Sequence, residues 1–125
     1  MKIEDLKKGE RYYYARLKEY PIAFSFVLLG KTKYYSSNGN FYKLFYKSPY
    51  RPNLTCELDI IEDSANIHRK FNESDIATLK LTDSIFISNN KGSLAREIKK
   101  YYRAKSSILL FIKKYYKVIN ELKEA

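Results

Sequence analysis

The sequence has no tryptophan, one cysteine, one histidine, three prolines and four glycines among its 125 residues. A lone Cys56 cannot form an internal disulfide, which excludes a disulfide-stapled secreted scaffold. Alternating apolar neighbours make it read as a small buried hydrophobe rather than a reactive thiol. One His and one Cys cannot assemble a zinc site of the usual nitrogen and sulfur type. The glycines are isolated, so no phosphate-cradling loop is present, and no motif calls for a cofactor. No apolar run follows Met1, so no signal peptide is expected. The run Ile108 to Ile112 is too short to span a bilayer. These absences lead to the expectation of a cytoplasmic protein without integral membrane association.

Catalytic groups are equally sparse. His68 sits in an irregular stretch with no nucleophile beside it, and reads as a solvated or structural side chain. Glu57, Asp59, Glu62 and Asp63 form an acidic set that a hard cation would suit. Glu57 and Asp59, however, are what the solvent face of an amphipathic strand looks like, or an internal partner for the basic helix. The expectation is no enzyme, no metal and no catalytic residue.

What the chain has in abundance is positive charge and tyrosine: 24 Lys and Arg against 14 Asp and Glu, a net +10, with 13 Tyr. The charge is unevenly placed. Residues 1–52 carry a net +7, residues 53–88 a net −4, and residues 89–117 a net +8. Such a field favours anionic partners. Lys, Asn, Ile and Tyr also share A/T-rich codons, so a genome poor in G and C yields part of this composition without selection for binding.

The pattern is one of strands followed by a helix, and 45% hydrophobic content in 125 residues suffices for one core. Residues 1–61 form the β-rich part. Ile3 to Lys8 reads as a helical turn ended by Gly9. Tyr12 to Leu17 is the first strand. Ala23 to Tyr35 is the second, with Phe24, Phe26 and Leu28 on one face and a bulge or sharp bend at Gly30. Asn38-Gly39 is a hairpin turn leading to a strand over Phe41 to Lys47. After a loop carrying Pro49 and Pro52, Leu54 to Ile61 alternates with Leu54, Cys56, Leu58 and Ile60 inward. Residues 62–92 read as an acidic, irregular connection with a short helix from Asn72 to Leu79, a strand around Ile85-Phe86-Ile87, and a turn. Ser88 or Ser93 is expected to cap the final helix.

Residues 93–123 read as one long amphipathic helix of about 46 Å, which exceeds the width of a domain this size. Its seam runs through Leu94, Ile98, Tyr101, Lys105, Ile108, Ile112, Tyr115, Ile119 and Leu122, bordered by Ala95, Tyr102, Leu109 and Tyr116. A break at Ser106-Ser107 is the alternative. The apolar waist at Ile108 to Ile112 is expected to be buried in the sheet or in a second subunit, which allows a homodimer through this helix. Together the elements give a single α+β domain over 1–125, with an antiparallel sheet or SH3-like partial barrel of about five strands. The opening, with Leu6 and Gly9 before aromatic strands and a tight hairpin, is similar in style to small SH3-like barrels. The composition resembles that of short accessory proteins of A/T-rich phages and mobile elements.

The helix holds an internal echo: Ile98-Lys99-Lys100-Tyr101-Tyr102 recurs as Ile112-Lys113-Lys114-Tyr115-Tyr116. Arg96, Lys99, Lys100, Arg103, Lys113, Lys114 and Lys117 fall opposite the seam, with Tyr102 and Tyr116 at its edge. Such cations neutralise phosphates, and tyrosines stack on unpaired bases. Lys31, Lys33, Lys43, Lys47 and Arg51 on and after the hairpin make a second basic, aromatic face. The leading expectation is a non-enzymatic binder of nucleic acid or of a nucleoprotein complex. The alternative is an accessory protein that inhibits a host or defence protein, since Tyr and Arg are favoured interface anchors. Membrane-surface attachment through the basic helix ranks third.

Overall fold

The computed structural model describes residues 3–37, 39–62, 73–75, 77–105 and 108–125. A 3-10 turn, Ile3–Asp5, precedes strands β1 (Arg11–Arg16), β2 (Ile22–Ser36), β3 (Gly39–Lys47), β4 (Cys56–Glu62), β5 (Glu73–Asp75), β6 (Thr78–Thr82) and β7 (Ile85–Ser88). Helices α1 (Lys91–Lys105) and α2 (Ile108–Glu124) complete the chain. The architecture is α+β, as the sequence implies. All strand pairs are antiparallel, in the order β4-β3-β2-β1-β7-β6-β5. Seven strands form the sheet rather than about five. Its edges β4 and β5 do not pair, so the sheet is open and no closed SH3-like barrel is formed.

The two faces of the sheet do different work. On one, Tyr12, Phe26, Leu28 and Leu44 are buried with Ile60 of edge strand β4 and with Leu79 and Leu81 of β6. Residues from nearly opposite ends of the sheet thus share one cluster, which requires the sheet to curl. Ile3 and Leu6 close it from the N-terminal turn. The expected bulge is present, with the register slipping between Leu28 and Gly30. On the other face, Ala15 pairs directly with Ala23 and with Phe86. Two methyl side chains side by side leave a shallow seat for both helices, where Leu94, Ile98 and Tyr102 of α1 meet Val118, Ile119 and Leu122 of α2.

Several expectations are corrected. The single helix over 93–123 is two antiparallel helices: Lys91 Nζ, at the start of α1, donates to the carbonyl of Lys123 at the end of α2, 3.2 Å away. A straight helix of that length would overrun the narrow seat, whereas folding back lays both apolar seams on it. The anticipated break at Ser106-Ser107 falls outside the described residues, as do the side chains of Ile108 to Phe111. Ile112, expected in a buried waist, is 45% exposed. The helix expected from Asn72 to Leu79 gives way to β5 and β6, because Leu79 and Leu81 alternate into the core and β6 pairs with β7. Neither Ser88 nor Ser93 caps α1. Asn90 does, its Oδ1 accepting from the Ser93 amide at 3.0 Å. Leu54 is exposed, ahead of a strand that begins at Cys56, and Cys56 is half-buried.

Burial also sets a pH limit. Tyr12, Tyr14, Tyr46 and Tyr102 all have phenol pKa values raised above the ordinary 10.0, chiefly by desolvation. Below that value both the folded and the unfolded chain keep these protons, so the contribution to stability is fully present. Above it the unfolded chain ionises first, and stability falls as pH rises toward the folded values. The unfolding free energy is therefore expected to hold steady to about pH 9.5, then drop by up to about 1.4 kcal/mol per pH unit for each tyrosine. Urea melts from neutral to strongly alkaline pH, with tyrosinate absorbance in parallel, check this.

Candidate functional site

The antiparallel helices rearrange the repeated basic motif. With residue 91 beside residue 123, residues 98–102 come alongside residues 112–116 to within about one helical turn. The two Lys-Lys-Tyr-Tyr copies flank each other across the helix hairpin instead of succeeding each other along one axis. Because the apolar seams face the sheet, the charged positions turn outward: Arg96, Lys99, Lys100, Arg103, Lys113 and Lys117 are exposed, and Lys114 is half-buried.

These cations differ in what already holds them. Lys100 lies 3.5 Å from the buried carboxylate of Glu97. Lys117 pairs with Glu121 at 2.7 Å and also donates to the carbonyl of Pro21. Arg96 Nη2 donates to Ser93 Oγ at 3.1 Å. Lys99, Arg103, Lys113 and Lys114 have no carboxylate partner among the described residues. Exposed ion pairs stabilise little, so Lys117 can exchange toward a phosphate at low cost, whereas moving Lys100 leaves the buried Glu97 carboxylate without that cation.

The tyrosines of the two copies part ways. Tyr102, expected at the accessible edge, is 1% exposed, and its hydroxyl donates to the carbonyl of Leu17 at 2.9 Å. It is a core residue that ties α1 to the end of β1, which removes it from the candidate site. Tyr116 is 56% exposed and stays in it.

The hairpin fares differently from its expected role as a second binding face. Lys31 Nζ donates to the carbonyls of Ile3 and Glu4 at 3.3 and 2.6 Å, closing the N-terminal turn. Lys33 lies over the rings of Tyr42 and Tyr35, at 5.2 and 5.9 Å. Lys43 on β3 meets Glu57 and Asp59 of β4 at 3.2 and 3.9 Å, and the Glu57 hydrogen bond raises its pKa. Those carboxylates are therefore the internal partner of the hairpin rather than of the basic helices. Lys47 and Arg51 are exposed, and Lys47 borders a shallow groove of about 350 Å3 with Arg11, Ser25 and Pro49. Among the described residues no three His, Cys, Asp or Glu side chains gather as a metal site would require. His68 and Asp63 lie outside them.

One residue that sequence reasoning passes over is Tyr20, in the turn between β1 and β2. It is 86% exposed. Along the chain, Tyr20-Pro21 signals only a turn; a large aromatic inside a tight turn, after Lys18 and Glu19, is the available cue. Comparison with known proteins finds no matching family model, no matching curated protein and no matching solved structure. Among the described residues no helix is long and apolar enough to cross a membrane.

Proposed function

We propose that this protein is a non-enzymatic binder that engages nucleic acid, alone or within a nucleoprotein complex, through the outward face of the α1–α2 hairpin. The observation that carries the reading is the antiparallel pairing of the two basic repeats. On one continuous helix the clusters would stand about 21 Å apart. Side by side they form one compact patch, with Lys99, Arg103, Lys113 and Lys114 lacking carboxylate partners among the described residues. A patch of that kind suits phosphate contacts, which dominate affinity without reading sequence.

The six cations Arg96, Lys99, Lys100, Arg103, Lys113 and Lys114 predict a slope of about −5 for log affinity against log salt on duplex DNA. A fluorescence-anisotropy titration at several salt concentrations measures it, and binding that ignores salt overturns the reading. Inhibition of another protein is the second reading, favoured by Ile112 and Tyr116 at 45% and 56% exposure beside the charges. A single stoichiometric protein partner, with no nucleic-acid binding, would establish that reading instead.

A further inference from the structure

The β1–β2 turn is held from four directions, yet it presents an unsupported aromatic ring. The Leu17 amide donates to the Ser84 carbonyl at 2.8 Å, and the Leu17 carbonyl accepts from Tyr102 at 2.9 Å. Arg16 Nη2 donates to the Tyr20 carbonyl at 3.2 Å, and Lys117 Nζ to that of Pro21. Within this clamp Glu19 and Tyr20 adopt φ values of +49° and +20°, a region that L side chains enter only at a cost. The outcome is a turn fixed at both ends with Tyr20 86% exposed at its tip.

The surroundings are cationic. Arg16 and Lys18 of the same segment are exposed. Lys117 reaches the turn from α2, and Lys113 and Lys114 sit one helical turn before it, about 6 Å along the axis. Tyr102, bonded to Leu17, places the last turns of α1, with exposed Arg103, at the same end of the molecule. An open aromatic face on a fixed backbone, beside exposed cations, is the arrangement that suits unpaired bases, since stacking needs an open base face that duplex DNA hides. Fixing the backbone of the turn lowers the ordering cost of binding.

The geometry points to Tyr20 as a stacking platform for an unpaired base, which makes single-stranded nucleic acid the preferred ligand of the basic face. This inference rests on the nucleic-acid reading above. The test compares a single-stranded oligonucleotide with a duplex of equal length, using the full chain and the variants Tyr20→Ala and Tyr20→Trp. Tyr20→Ala is expected to weaken single-strand binding about tenfold to a hundredfold while duplex binding changes less than about twofold. Its melting temperature should match that of the parent, because the ring touches no core.

Tyr20→Trp should retain binding. Its indole, the only one in the chain, should be quenched by the single strand and not by the duplex. Equal loss on both ligands, or none on either, with the salt slope intact, overturns the role of Tyr20 and leaves the basic face standing. If the parent chain binds neither ligand, both readings fall. An indole signal that answers only to a protein partner also overturns the proposal, in favour of a protein-docking turn.

Discussion

Tyr102→Ala lowers stability by about 3–5 kcal/mol, the largest single-residue effect expected in this chain. For a protein of this size that is a fall of roughly 10–20 °C in Tm. The ring is 1% exposed, among the apolar side chains where the helices meet the sheet, and its hydroxyl satisfies the Leu17 carbonyl inside the protein. Alanine leaves a cavity and strips that carbonyl of its donor. Tyr102→Phe keeps the ring and costs about 1 kcal/mol. The equivalent change in the second copy, Tyr116→Ala, removes a mostly exposed ring and should stay within about 0.5 kcal/mol. Thermal melts followed by circular dichroism separate the three. A Tyr102→Ala variant that melts with the parent would place the first copy's tyrosine outside the core.

On the proposed nucleic-acid reading, replacing Lys99, Lys100, Lys113 and Lys114 together by serine should weaken binding roughly a thousandfold at 0.1 M salt and flatten the salt slope from about −5 to about −2. Lys99, Lys113 and Lys114 have no carboxylate partner among the described residues, whereas Lys100 faces the buried Glu97 carboxylate, so the quadruple variant should lose some Tm while remaining folded. The informative control is the hairpin. Lys31, Lys33 and Lys43 are engaged with carbonyls, rings and carboxylates of their own chain. Replacing those three should lower Tm while leaving affinity within about threefold, because few phosphate contacts are lost. Anisotropy and melting curves on both triple and quadruple variants check the contrast. Equal losses of affinity from the two sets would mean that overall charge, not the helix face, drives binding.

Much of the fold is legible in residue patterns. The β2–β3 hairpin follows from alternation in Phe24, Phe26 and Leu28 and from Asn38-Gly39, and the slip at Gly30 follows from a glycine inside a long strand. These are local signals, and local physics decides them. The helix hairpin is hidden for a specific reason. The two basic copies are 14 residues apart, two full heptads, so the apolar seam continues in phase across 106–107 and imitates one unbroken helix. Only the size of the seat on the sheet, set by Ala15 and Ala23 far from the helices in sequence, requires the fold-back. The β5–β6 pair escapes a sequence reading because Asn72-Glu73-Ser74-Asp75 has the chemistry of a helix cap. The period-two placement of Leu79 and Leu81 is a shorter signal that tertiary pairing reinforces.

For the site, sequence locates the cations but not their employment. Lys31, Lys33 and Lys43 look like Lys99 and Lys113 in composition, and the difference lies entirely in which carbonyls, rings and carboxylates the fold brings near. Tyr102 and Tyr116 occupy equivalent places in a repeat, yet only one meets the end of β1.

The central position of β1 has a consequence for synthesis. Its second neighbour, β7, pairs Tyr14 with Ile87 and is made 73 residues later. During translation β1 to β4 can form a local meander, but β1 remains an unpaired edge until β7 leaves the ribosome. At about 5–20 residues per second that interval lasts roughly 4–15 s, and long-range pairing is slow even afterwards. A nascent chain carrying Tyr12, Tyr13 and Tyr14 on an open edge is vulnerable to strand pairing with its neighbours for that time. Expression at lower rates, or with a chaperone that shields nascent chains, should raise the folded yield.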